Sequence, residues 1–191
     1  VLGATIEGTL ARLNYSNVDF FLGVYPNDPP TVAVAEALEK KFKQVHVVLN
    51  SKPGPTSKGQ MINEIIRKIS QFEVKEQIQF KGVIIQDAED VLHPLSLKIF
   101  NFELEKNDFV QIPIFSFAVS EKELVAGIYE DEFAEIHTKD LLVRNDLAGS
   151  IPSAGVGTAM SRHFVECYRE KNGGGLLNSQ TVTEDYDIGV S

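Results

Sequence analysis

The sequence has a single cysteine, Cys167, so no disulfide can form within the chain, and a reducing compartment suits it. No apolar run reaches the length of a membrane span, and no signal peptide is visible. Basic residues are outnumbered, 18 against 27 acidic, for a formal net charge of -9. That balance argues against a nucleic-acid partner, because phosphate backbones require clustered lysine and arginine. The histidines at 46, 93, 137 and 163 lack H-x-x-x-H spacing, which speaks against zinc. No G-x-S-x-G or Walker pattern occurs, and there is no internal repeat or low-complexity segment. An initial methionine is missing as well: "VLGATIEGTLARL" reads as the interior of a longer sequence.

What is present is a chain of 191 residues, enough for one domain with a sizeable core. Leu2, Ile6, Leu10 and Leu13 have helical spacing. "VDFFLGVY" (18–25), "QVHVVL" (44–49), "FKGVIIQ" (80–86) and "DFVQIPIFSF" read as strands, the last with Pro113 suggesting an edge or bulge. Between them lie a helix capped by Thr31, an apolar helical stripe from Met61 to Phe72, and a helix from Pro94 to about Lys106. "SEKELVAGIYEDEFAEIHTKDLLVRN" reads as a long helix and its exit. The small-residue loop "AGSIPSAGVGTAMS", a helix from Ser161 and the break "NGGG" follow it. This alternation predicts an α/β fold with a mostly parallel sheet flanked by helices. Ligands then bind beyond the carboxyl ends of the strands.

Acids collect at that rim. "QDAED" ends a strand in Asp87, Glu89 and Asp90, a crowding that water, a metal or a cationic ligand must relieve. Two carboxylates one residue apart suit a hard divalent cation, but a solvated strand-to-helix turn is the simpler alternative. "YPNDPP" puts Asp28 on the same rim, though Asn, Asp and Pro are also plain turn residues. Lys58 opens a helix, where a cation is unfavourable against the dipole unless an anion docks there. In "TEDYD", Thr183 is a natural N-cap with Glu184 and Asp185 in the first turn, and either acid suits a general base. Gly157 and Thr158 sit in a glycine-rich stretch that would let a substrate approach the backbone closely.

In this order the elements resemble the family-two inverting glycosyltransferases, which have a GT-A-type nucleotide-sugar-binding fold. "YPNDP" stands where such enzymes contact the nucleoside, and "PTSKGQMIN" resembles the segment that meets the diphosphate. "QDAED" resembles their D-x-D metal motif, and "VTEDYDIG" the segment whose final Asp is the base. "KPGPTSK", "DAEDV", "QIPI", "DEFAEIH" and "AGSIPSAGVGT" further resemble the bacterial phage-adsorption B group of inner-membrane glycosyltransferases, linked to exopolysaccharide synthesis. Two departures stand out. Glu89 holds the place of the second Asp of D-x-D, so that Asp90 becomes a competing ligand. The family's first strand and its later acceptor and membrane segments have no counterpart in residues 1–191.

The resemblance implies one partial catalytic domain over residues 1–191, transferring a sugar from a UDP-sugar to a saccharide hydroxyl with inversion. Asp28, Lys58 and Asp87 would bind the donor, and Glu89 and Asp90 would hold Mg²⁺ or Mn²⁺. Asp185 would be the base, with Gly157, Thr158 and Glu184 toward the acceptor. It implies the cytoplasmic face of the bacterial inner membrane, with membrane association through segments outside this chain. Two other classes fit part of the pattern: a catalytically silent nucleotide-sugar-binding or interaction module, and a nucleotidyltransferase.

Overall fold

Short apolar runs bounded by turn residues become strands, and the longer periodic stretches become helices. The computed structural model describes residues 1–116, 124–177 and Ile188, which build an α/β arrangement. In chain order these are α1 (Leu2–Arg12), β1 (Phe20–Val24), α2 (Pro29–Lys41), β2 (Val45–Leu49), α3 (Lys58–Glu76) and β3 (Gly82–Ile85). Then come α4 (Ser96–Glu103), β4 (Phe109–Gln111), α5 (Leu124–Glu135), a π-helical turn (Ile136–Asp140), α6 (Leu141–Ala148), β5 (Thr158–Ser161) and α7 (Arg162–Lys171).

Local chemistry sets several boundaries. Helix α2 begins at Pro29, earlier than a Thr31 cap would allow, because Asp28 is the cap: its Oδ1 accepts from the Thr31 N–H at 3.3 Å. Pro29 and Pro30 occupy first-turn positions where no N–H is needed. Ser57 caps α3 by accepting from the Gln60 N–H at 3.2 Å, which puts Lys58 at the first helical position. Helix α4 starts at Ser96, later than Pro94. Strand β4 ends at Gln111, before Pro113, which has no N–H to pair. The long helix after residue 123 is interrupted by the π turn, where His137 is buried and its ring lies 4.7 Å from that of Phe133.

The expectation of a mostly parallel sheet is not met. Strands β1 and β2 form a parallel pair, but β3, β5 and β4 form an antiparallel sheet in that order. The cause is β5, which lies in a stretch that reads as loop. Its residues Thr158, Ala159, Met160 and Ser161 are all buried, so no in-and-out alternation betrays a strand. It enters from the far end and runs back between β3 and β4, with Thr158 opposite both Ile85 and Gln111. Gly82 permits this pairing, since a Cβ there would stand 2.4 Å from the Met160 carbonyl oxygen.

Helix α3 covers one face through Ile62, Ile66 and Ile69, packed with Ile85, Met160, Val165 and Ile188. Ile6, Ala35 and Leu38 from α1 and α2 pack against Leu22, Val24 and Val45. Leu97 and Phe100 of α4 close on Ala159. Buried Glu73 ties the end of α3 to its surroundings, accepting from the Phe80 N–H at 2.9 Å and pairing with Arg162 at 2.6 Å.

Among the described residues β1 pairs only with β2, and β3 only with β5. Their remaining edges face a cleft of about 920 Å³, floored by Ile62, Ile66 and Ile69 of α3 and by Leu97 and Phe100 of α4. The two strands run the same way. The Phe21 and Phe80 rings approach to 6.0 Å at one end, and Tyr25, Lys58 and Asp87 line the cleft at the other.

Candidate functional site

The carboxyl ends of β1, β2, β3 and β4 share one rim, and the loop entering β5 joins it. The turns after β1 and β2 are stitched together. The Asn27 side chain donates to the Gly54 carbonyl at 2.8 Å and accepts from the Gly54 N–H at 2.6 Å. The Tyr25 hydroxyl meets that of Thr56 at 2.9 Å. Buried Asn50, directly after β2, donates to Gln60 Oε1 at 2.8 Å and accepts from the Lys52 N–H and from Gln60 Nε2, both at 3.1 Å. Every one of these bonds fixes where α3, and therefore Lys58, begins.

Lys58 Nζ lies 2.8 Å from Asp87 Oδ1, joining the head of α3 to the turn after β3. That turn closes through the Asp90 N–H, which donates to the Asp87 carbonyl at 3.2 Å. Burial first, and then the Asp87 carboxylate, push the Asp90 carboxyl above the usual aspartate range. Its Oδ2 is buried without a hydrogen-bond partner. Glu89 sits exposed on the same turn.

The oxygens of this turn suit a divalent cation. The donors are hard carboxylate oxygens, and the orphaned Asp90 Oδ2 is an atom that a cation would satisfy. Among the described residues no group of three or more His, Cys, Asp or Glu is gathered to hold a metal. Asp87 and Asp90 therefore match a cation that takes one or two carboxylates and completes its shell with ligand oxygens and water, as Mg²⁺ usually does.

On the far side of β3 the glycine-rich loop is closed on itself. Gln111 Oε1 accepts from the Thr158 hydroxyl at 2.6 Å and from the Ala154 N–H at 3.0 Å. Its Nε2 donates to the carbonyls of Ile112 (2.9 Å), Val156 (3.0 Å) and Gly157 (3.2 Å). Ser153 Oγ meets the Thr158 hydroxyl at 2.9 Å and accepts from the Gly155 N–H at 3.0 Å. Gly157 has φ 61° and is packed so that a Cβ would lie 3.2 Å from Ile112. Thr158 is fully buried.

Sequence reasoning thus named Lys58, Asp87 and Asp90, which the fold brings together, and Asp28, which caps α2 on the same rim. Gly157 and Thr158 lie across β3 from them. Glu184 and Asp185 fall outside the described residues, but Ile188 shortly after them is buried with Ile62 and Ile85. Sequence reasoning missed what the amides do. Asn63 accepts from the N–H groups of Leu176 (2.7 Å) and Leu177 (3.0 Å) and donates to the Leu177 carbonyl at 2.8 Å, anchoring the chain ahead of "TEDYD". Asn63 stands at the end of "PTSKGQMIN", where the resemblance expected a diphosphate contact and not this anchor; Asn50 and Gln111 have no spacing signature, and their only signal was a polar residue at the border of an apolar run.

A protein-family model described as "Glycosyltransferase like family 2" matches residues 1–191. Bacteriophage adsorption protein B of Escherichia coli K12 is 42% identical over 189 residues, 99% of this chain and 25% of the relative. Bacteriophage N4 adsorption protein B of Escherichia coli O157:H7 matches with the same figures. The chain therefore spans about a quarter of the length of these curated relatives. No solved structure matches.

Proposed function

The chain belongs to the glycosyltransferase-2-like family, and on that premise we propose that it forms the donor half of a transferase that moves a sugar from UDP to a saccharide hydroxyl with inversion. The observation that carries this reading is the 2.8 Å contact of Lys58 with Asp87 beside the orphaned Asp90 oxygen. One cation and two acids, at the head of a helix and the end of a strand, suit a diphosphate and its counter-ion.

Asp28 would hydrogen-bond the nucleoside from the head of α2. Asp87 and Asp90, with exposed Glu89 in reach of the same turn, would hold Mg²⁺ or Mn²⁺. A divalent ion bound there neutralises charge on the departing diphosphate. Lys58 adds positive charge beside the leaving group, from a backbone already fixed by the Asn50 and Ser57 bonds. Asp185 would take the acceptor proton as the hydroxyl attacks the anomeric carbon. Gly157, Thr158 and Glu184 would stand on the acceptor side.

On this reading the cleft between β1 and β3 receives one more parallel strand from the polypeptide, and residues 1–191 are one part of the catalytic domain. A role in exopolysaccharide synthesis at the cytoplasmic face of the inner membrane is part of the same proposal. Among the described residues no helix is long and apolar enough to cross a membrane, so membrane contact would come from elsewhere in the protein.

The deciding experiment is calorimetric titration of UDP into the intact protein with and without Mn²⁺, followed by product analysis with UDP-sugars. Metal-dependent binding and sugar transfer are expected. Asp185→Asn should lower turnover by roughly 10²–10⁴-fold while UDP still binds. Metal-dependent UDP binding with no transfer from any donor would make the protein a silent binding module. Release of pyrophosphate from UTP and a sugar phosphate would make it a nucleotidyltransferase.

A further inference from the structure

The loop 153–157 enters β5 at the rim that carries Asp87, and its polar backbone groups are largely used up inside the protein. The N–H of Ala154 goes to Gln111, that of Gly155 to Ser153, and that of Gly157 to Gln86 Oε1 at 3.4 Å. The Gly157 carbonyl accepts from both Gln111 Nε2 and the Ile112 N–H, the latter at 3.0 Å. A backbone so engaged has little left to offer a ligand as donor or acceptor; what remains to it is shape. The shape is set by one side chain, because Gln111 bonds to five different residues across the loop and its own strand's exit. Gln86, immediately before Asp87, ties the same loop to the end of β3.

We propose that Gln111 is a positioning residue for the acceptor: it holds the 153–157 loop as a rigid wall at a set distance from the acidic turn, and so selects which saccharide hydroxyl reaches the donor. The inference rests on the glycosyl-transfer reading above and adds to it a specificity element outside the donor-binding set. An amide is required because the position faces a hydroxyl and an N–H on one side and three carbonyls on the other. Only a group that accepts through one atom and donates through another satisfies both.

The test compares wild type with Gln111→Ala and Gln111→Glu in the intact protein, measuring UDP affinity, thermal midpoint, and kcat and KM for the acceptor. Expected for Gln111→Ala is a rise in acceptor KM of about tenfold or more, since small displacements of a positioning group are costly. UDP affinity should stay near wild type. Gln111→Glu supplies a second readout. Its carboxylate repels the three carbonyls when ionised and regains one donor when protonated, so its acceptor KM should fall toward wild type as the pH is lowered. Gln111→Ala should show no such recovery. An unchanged acceptor KM in both variants overturns the proposal, and so does a parallel loss of UDP affinity and thermal stability, which would make Gln111 a general structural support. A wild-type protein that neither binds UDP nor transfers sugar overturns the functional reading itself, and this inference with it.

Discussion

Two turns on one rim are built on opposite plans. In the turn after β2, Asn50, Thr56, Gln60 and, from the neighbouring turn, Tyr25 and Asn27 are joined by hydrogen bonds. In the turn after β3, Asp87, Glu89 and Asp90 crowd together, and the Asp90 carboxyl keeps a buried oxygen without a partner. The first turn is stable by itself and fixes geometry. The second holds electrostatic tension that a cation or a proton would release. Stability and binding capacity are thus divided between neighbours, and Lys58 spans the two by leaving the satisfied turn to pair with Asp87.

Within these two turns the largest effect should come from removing the side chain that joins them. On the proposed reading, Asp87→Ala is expected to lower sugar transfer by roughly 10²–10³-fold, because several kcal/mol of charge stabilisation would depend on a cation held there. Calorimetry with Mn²⁺ and UDP would check it, and undiminished metal-dependent binding would move the site elsewhere. Next comes Asn50→Ala, which removes a buried amide bonded to the Gln60 side chain and the Lys52 N–H. A loss of about 1–3 kcal/mol in denaturant unfolding is expected. A neutral result would mean the first turn is not the rigid partner.

The smallest effect sharpens the contrast most. The Asp90 pKa is raised in the folded state, so the folded protein binds that proton more tightly than the unfolded chain does. The ionised carboxylate therefore destabilises the fold fully above the raised pKa, and the penalty disappears as the pH falls to the ordinary aspartate range. Asp90→Asn should accordingly raise the thermal midpoint at neutral pH by a few degrees at most, with the gain shrinking on acidification. The same variant should bind UDP less well in the presence of Mn²⁺. Scanning calorimetry across pH, paired with the titration, reads both.

The sequence revealed what periodicity and turn chemistry encode. β1, β2 and β3 are apolar runs, and α3 has a regular stripe of isoleucines, so both were plain. Asp87 stood out because crowded acids at a strand end repel one another, Lys58 because a cation at a helix start opposes the dipole, and Asp28 only by its place on the same rim, since Asp is an ordinary turn residue. β5 was hidden, since four small or fully buried residues after a glycine loop show no period. The parallel expectation failed on that strand alone. The amide hubs at Asn50 and Gln111 stayed hidden for a different reason: their hydrogen bonds join separate segments, and no local sequence pattern marks such partners.

The cleft between β1 and β3 also bears on how the chain behaves in a test tube. Two strand edges without a partner among the described residues, set in apolar walls, template any extended segment that arrives. Residues 1–191 produced alone would carry that template into concentrated solution, where strands of neighbouring copies compete to fill it. Association should therefore rise steeply with concentration, and light scattering across a dilution series would read it.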